Sequence, residues 1–100
     1  MKQPTSKPIE LEEIPNIGPA IATKLRRIGI EHPRQFIGTE PLQLYQQLND
    51  SFGKKQDPCL LDVLFSAVYF MEQGEAKDWW AFTKMRKQIL QAEERLNLDM

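Results

Sequence analysis

The residues best placed to do chemistry are those of the segment IPNIGPAIA at positions 14–22. Proline and glycine interrupt helices, so the segment indicates a tight turn followed at once by a helix that starts at Pro19. The first turn of a helix has unpaired backbone N–H groups and about half a positive charge from the helix dipole. Such a helix start binds anions, and we expect this one to bind a phosphate.

The residues around this turn have separate predicted roles. Asn16 tolerates a positive φ, and Ile17 fixes the turn to the core. Gly18 lets a phosphate approach closely because it has no side chain. Since proline has no N–H, the predicted amide donors are Gly18, Ala20 and Ile21. A hydroxyl and two basic side chains further along the helix would extend the contact to neighbouring phosphates. The predicted phosphate-binding set is Asn16, Ile17, Gly18, Ala20, Ile21, Thr23, Lys24 and Arg27.

The charge distribution leaves room for DNA binding, although the net charge is only −1, from 13 basic and 14 acidic residues. A nearly neutral chain argues against nucleic-acid binding, because most such domains are clearly basic. Residues 19–37, however, hold four basic residues and one acidic residue, and residues 84–87 hold three basic residues and no acid. We interpret the acidic cluster of Glu10, Glu12 and Glu13 as partners of a helix dipole rather than as a metal site.

One cysteine and one histidine are too few for a disulfide or a zinc site, and we expect no metal and no cofactor. Cys59 lies in the first turn of a predicted helix, where a thiolate is stabilised. It is either a reactive cysteine or a small buried residue, and we favour the second; His32 is remote in sequence. No Ser-His-Asp set, nucleotide-binding loop or pair of catalytic acids stands out, so we expect a protein that is not an enzyme.

The pair Trp79 and Trp80 has two interpretations. The two indoles could stack on unpaired bases, or they could belong to the core, as aromatic pairs beside a helix start usually do. We favour the core. The residues predicted to face inward in the C-terminal part are Trp79, Trp80, Phe82, Met85, Ile89 and Leu96.

Helix signals along the chain predict an all-α fold, a compact bundle of about five helices, with no strand. The predicted helical segments are 9–14, 19–28, 32–37, 40–52 with Thr39 as N-cap, 58–73 with Asp57 as N-cap, and 78–96, which forms one or two amphipathic helices. The segment 58–73 is apolar on nearly all sides, which is typical of a helix in the middle of a domain. We predict a disordered tail over residues 1–8 and a single domain over residues 9–100.

The N-terminal residues MKQPTSKPI lack the apolar stretch of a secretory signal, and no apolar run approaches the ~20 residues that a membrane span needs. We therefore expect a cytoplasmic protein without membrane contact.

The segment IPNIGPAIA resembles the helix-hairpin-helix motif of DNA-repair and replication proteins, whose pattern is hydrophobic-Pro-Gly-hydrophobic-Gly, with Asn16 in place of the first glycine. The strings LEEIPNIGPAIATKLRRIGI, EPLQLYQQL, DPCLLDVLFSAVYF and DWW are similar to a small bacterial family of pathogenicity-locus or mitomycin-resistance-like proteins. The first forty residues are also similar to the C-terminal domain of the competence regulator TfoX. The resemblance implies a SAM-like fold with a helix-hairpin-helix motif at residues 14–30.

Together these patterns predict a module that binds DNA by its phosphates without reading sequence, and the resemblance implies a role in DNA damage or stress. The alternative is a protein-interaction module, a homodimer or an adaptor, that uses the same fold without binding DNA.

Overall fold

The computed structural model describes residues 10–98 of the chain, and within that range every regular element is a helix. The α-helices are α1 (Pro19–Arg27), α2 (Pro41–Phe52), α3 (Pro58–Gln73) and α4 (Thr83–Leu98). Short 3₁₀ segments span Leu11–Glu13, Pro33–Phe36 and Trp79–Phe82. The all-α prediction is confirmed for this part of the chain, and the predicted tail over 1–8 lies outside the described residues.

Local capping signals set where the first three α-helices begin and end. Proline occupies the first helical position of α1, α2 and α3, where its missing N–H removes no helical hydrogen bond. The Asp57 carboxylate caps α3 as predicted, accepting a hydrogen bond from the Cys59 N–H at 2.9 Å. Gly53 and Gly74 end α2 and α3 with φ values of 67° and 75°, a left-handed conformation that glycine adopts without steric cost.

Two predictions about helices are wrong, one on an N-cap and one on the length of a helix. Glu40 rather than Thr39 is the N-cap of α2, because the cap directly precedes the first-position proline; the Thr39 hydroxyl donates to the Gln35 carbonyl at 2.6 Å. Of the helix expected over 9–14, the described residues 10–14 form only the 3₁₀ segment Leu11–Glu13. Its continuation is blocked since Ile14 precedes a proline and is therefore extended, with φ −75° and ψ 131°.

Helix α3 lies at the centre of the fold, as its apolar circumference predicts. It packs against α2, α4 and the 3₁₀ segments at 33–36 and 79–82. The apolar face of α1 and the turn before it packs on the same core, with Ile17 and Leu25 buried and Ile21 and Ile28 partly buried. The buried apolar residues of α3 are Leu60, Leu61, Val63, Leu64, Ala67 and Val68.

A buried ion pair joins α4 to α3. Asp62 is fully buried on α3 and accepts hydrogen bonds from Thr83 Oγ1 at 2.6 Å and from Arg86 Nε at 2.8 Å. The bond to the Asp62 carboxylate raises the pKa of the Arg86 guanidinium above its ordinary value. These contacts hold the first turn of α4 against the middle of α3.

The inward face predicted for the C-terminal part is wrong at two residues. Trp80 is 60% exposed and Met85 is 40% exposed, whereas Trp79 and Leu90 pack against the core. The physical reason at Trp80 is the 3₁₀ geometry of 79–82: with three residues per turn, Trp79 and Phe82 share the inner face and Trp80 points away. The Leu96 side chain lies outside the described residues. Between residues 10 and 98, no helix has the length and apolar character needed to cross a bilayer.

Candidate nucleic-acid interface

The turn before α1 is held by its own backbone and by two buried isoleucines. The Ile17 N–H donates to the Ile14 carbonyl at 3.1 Å, and both side chains are buried in the core. Asn16 has φ 75°, the left-handed conformation that asparagine adopts more readily than most residues. The turn is therefore fixed in the shape that its sequence predicts.

The backbone amides at the start of α1 have no acceptor within the helix. The first helical hydrogen bond runs from the Ala22 N–H to the Gly18 carbonyl at 3.0 Å, and no side chain caps this end. The N–H groups of Gly18, Ala20 and Ile21 come before this first bond, so none of them has a carbonyl partner within α1. This places three amide donors at the positive end of a nine-residue helix.

Neither the backbone nor the packing requires a glycine at position 18. Gly18 is extended, with φ −92°, and a Cβ built on it would meet nothing within 4 Å. A larger residue fits the fold here, so the glycine is not explained by packing. Of the three residues that carry the amide donors, Ala20 is exposed and Gly18 and Ile21 are half-exposed.

Asn16 ties the turn to a distant part of the chain. Its Nδ2 donates to the Lys77 carbonyl at 2.8 Å and to Ser66 Oγ at 3.3 Å. The side chain therefore joins the turn to α3 and to the segment that precedes the 3₁₀ helix at 79–82. Asn16 and Ile17, both in the predicted phosphate-binding set, position the turn.

Three further members of that set are engaged within the chain. The Thr23 hydroxyl donates to the Pro19 carbonyl at 2.9 Å, so its proton is used inside α1. Lys24 Nζ donates to Gln56 Oε1 at 2.8 Å and lies 5.8 Å from the centre of the Phe52 ring.

Arg27 packs against the end of α2. Its Nε donates to Ser51 Oγ at 2.9 Å and its guanidinium donates to the Ser51 carbonyl at 3.0 Å, while the guanidinium carbon lies 4.4 Å from the centre of the Phe52 ring. The structure thus brings Lys24 and Arg27 together over one aromatic ring, at the C-terminal end of α2. The groups that these two side chains contact are all uncharged, so neither side chain is held in an ion pair there.

Arg26 differs from these two cations because it is paired with acid. Its guanidinium donates to both carboxylate oxygens of Glu12, at 2.8 and 3.1 Å, and lies 3.7 Å from Glu10. The hydrogen bond from Arg26 lowers the pKa of Glu12 below its ordinary value. Glu12 is therefore an ion-pair partner, and between residues 10 and 98 no three His, Cys, Asp or Glu side chains are grouped to hold a metal ion.

A cleft lies directly beside the turn, and the sequence analysis did not predict it. Its volume is about 450 Å³, and its walls include Pro15 and Asn16 from the turn and Lys77 and Trp80 from the opposite side. Trp79 meets Trp80 edge to face, with ring centres 5.5 Å apart. No pattern in the sequence identifies Trp80 as outward-facing, because the three-residue spacing of Trp79 and Phe82 suits an α-helix as well as a 3₁₀-helix.

Cys59 lies in the first turn of α3 and is half-buried. Burial and the neighbouring Asp57 carboxylate raise the pKa of its thiol above the ordinary value. The predicted helix-start effect on the thiolate is therefore outweighed, which favours the interpretation of Cys59 as a packing residue. The His32 N–H donates to Gln35 Oε1 at 2.7 Å, so His32 takes part in capping the 3₁₀ segment at 33–36.

Known proteins resemble this chain over most of its length. Residues 5–88 match the model of a family described as pathogenicity locus (Cdd1). The mitomycin resistance protein McrB of Streptomyces lavendulae is 38% identical over 84 residues, which cover 84% of this chain and 80% of that protein. No solved structure matches the chain.

Proposed function

This chain belongs to the pathogenicity-locus family, and we propose that it binds DNA by the phosphate backbone, without reading sequence and without acting on the DNA chemically. In this proposal the turn and helix at residues 14–30 form a helix-hairpin-helix motif together with the 3₁₀ segment Leu11–Glu13, which stands in place of a longer first helix. The name of the related protein links that protein to mitomycin resistance, which supports placing this DNA binding in a response to DNA damage or stress.

The observation that carries the proposal is the uncovered start of α1. Three amide donors, from Gly18, Ala20 and Ile21, sit at the positive end of the helix dipole with no side-chain cap. Gly18 leaves the approach open although the fold does not require a glycine there. A phosphate oxygen supplies the acceptors that these amides lack.

A basic patch adds a weaker, longer-range attraction. We define it as Lys24 and Arg27, which lie over the Phe52 ring, together with the exposed Lys54 and Lys55 of the loop that follows α2. Asp50 and Asp57 lie in the same stretch of chain and reduce the local excess to two positive charges. Such a patch steers DNA towards the protein rather than specifying a site, because phosphate charge is the same in every sequence.

The sharpest test is Gly18→Asp. Aspartate is a good N-cap, so its carboxylate will accept hydrogen bonds from the open amides. This should stabilise α1 by roughly a few tenths of a kcal/mol relative to glycine. The same carboxylate repels a phosphate and occupies its place. We expect the thermal midpoint to stay or rise while DNA affinity, measured by fluorescence anisotropy on duplex and single-stranded oligonucleotides, falls at least about tenfold.

The matched control is Gln43→Glu, which makes the same change in net charge in the first turn of α2 at an exposed position. It should bind DNA like the wild type. Reversing the charges of Lys24 and Arg27 is a poorer test, because those side chains also pack on Phe52 and would perturb α2. Equal DNA affinity of Gly18→Asp and Gln43→Glu would contradict the proposed site.

Self-association is the second candidate function, and exposed apolar side chains favour it. Ile37 is 55% exposed, and Met85 lines a groove of about 390 Å³ together with Phe65 and Phe82. If the wild type binds no DNA at tens of micromolar and sediments as a dimer, this candidate replaces the first.

A further inference from the structure

Trp80 is a large aromatic surface that the fold leaves uncovered. It is 60% exposed, although the neighbouring Trp79 and Phe82 pack inward. Trp79 presses edge to face on Trp80 with an angle of 81° between the rings, so the exposed indole is held in place from one side. A single exposed apolar residue is ordinary, so the role of Trp80 depends on what lies opposite it.

What lies opposite is the turn that leads into α1. The cleft of about 450 Å³ between them falls within the range of small-molecule pockets, about 300–1,000 Å³. Its two walls are tied together, because Asn16 in one wall donates to the Lys77 carbonyl in the other. Two positions beyond Asn16, the same turn presents the uncovered amide of Gly18.

The charges around the cleft indicate what it can hold. Lys77 and Asp78 both line it, and Lys77 Nζ lies 4.8 Å from the centre of the Tyr69 ring. A cation and an anion together give the cleft no strong preference for a phosphate. A neutral planar group that stacks on an indole fits these walls better, and a nucleobase is such a group.

We propose that Trp80 stacks on an unpaired DNA base in this cleft while the adjoining phosphate lies on the start of α1. The inference rests on the proposed function and sharpens it: the preferred substrate is DNA that exposes unpaired bases, such as a single strand, a gap or an overhang. Duplex DNA reaches the amides of α1 but offers no free base face to Trp80.

The test compares Trp80→Ala with the wild type on three fluorescent oligonucleotides: a single strand, a gapped duplex and a continuous duplex. We expect the variant to lose about tenfold or more in affinity for the first two, since stacking contributes about 1–3 kcal/mol per base, and to keep its duplex affinity. Trp80→Phe should recover part of the loss, and Met85→Ala, which removes another exposed apolar side chain, should behave like the wild type.

A second measurement does not depend on affinity. In a Trp79→Phe variant Trp80 is the remaining tryptophan, and its fluorescence should be quenched by single-stranded DNA but not by duplex DNA. Equal affinity of the wild type for all three oligonucleotides, or an equal loss on all three in Trp80→Ala, would overturn the stacking role while leaving phosphate binding intact. Absence of binding to any DNA would overturn both proposals.

Discussion

At the scale of single residues, Cys59 shows two opposed effects on one side chain. A position in the first turn of a helix lowers the pKa of a thiol, whereas burial and a nearby carboxylate raise it. In this protein burial and Asp57 prevail, and the pKa of Cys59 lies above its ordinary value. The thiol is therefore protonated, and slow to react, over a wider pH range than a free cysteine.

This balance predicts the effect of Asp57→Asn. Asparagine caps a helix about as well as aspartate, so α3 should keep its start while the charge beside Cys59 disappears. We expect the pKa of the thiol to fall, and its alkylation by iodoacetamide near pH 8 to become faster, as followed by mass spectrometry. Asp50→Asn is the matched control, and identical pH profiles for both variants would show that the Asp57 charge does not act on Cys59.

At the scale of elements, the contact between α3 and α4 depends on a buried charge. Asp62 is fully buried, and its partner Arg86 has a side chain only 12% exposed. A buried ion pair contributes little net stability over an apolar pair, but removing one partner leaves the other charge uncompensated. The pair therefore specifies which face of α4 packs on α3.

Arg86→Met should consequently lower the free energy of unfolding by about 3–5 kcal/mol, as measured by urea denaturation. The double variant Asp62→Leu/Arg86→Met should regain most of that loss, since no charge is then left buried. Lys84→Met, an exposed lysine on the same helix, serves as the control. A double variant as unstable as Arg86→Met would mean that the pair stabilises through packing or hydrogen bonds alone.

The elements themselves were largely predictable, because their limits depend on neighbouring residues. The prolines that open α1 and α3 and the Asp57 cap act locally, and the structure places them as expected. The exposure of Trp80 was not predictable from an α-helical period, since a 3₁₀ segment repeats every three residues. Nor was the N-cap of α2 predictable from capping preference, because Pro41 at the first helical position makes Glu40 the N-cap rather than the better capping residue Thr39.

At the scale of the whole molecule, the net charge of −1 does not show which cations are paired with carboxylates and which are not. Arg26 is paired with Glu12, whereas Lys24 and Arg27 bond only to uncharged groups. The sequence identified these cations but not this difference, because the partners come from α2 and from the loop after it. Spacing along one helix carries no information about such contacts.

A small number of phosphate contacts predicts a moderate dependence on salt. If two or three phosphates are neutralised, raising the salt from about 50 to about 200 mM should weaken duplex binding by about 10- to 40-fold. Anisotropy titrations at several salt concentrations measure the slope directly. A slope near zero would rule out phosphates as the main contact, and a much steeper slope would require cations beyond the basic patch, such as those at 84–87.

The hydrogen bond from Asn16 to the Lys77 carbonyl has a consequence for how the protein is made. It joins residues 61 positions apart, so the turn acquires its anchor only after residue 77 has left the ribosome. Helix α1 likewise depends on later residues, because Lys24 bonds to Gln56 and Arg27 bonds to Ser51. The proposed binding turn is thus synthesised well before the residue that anchors it.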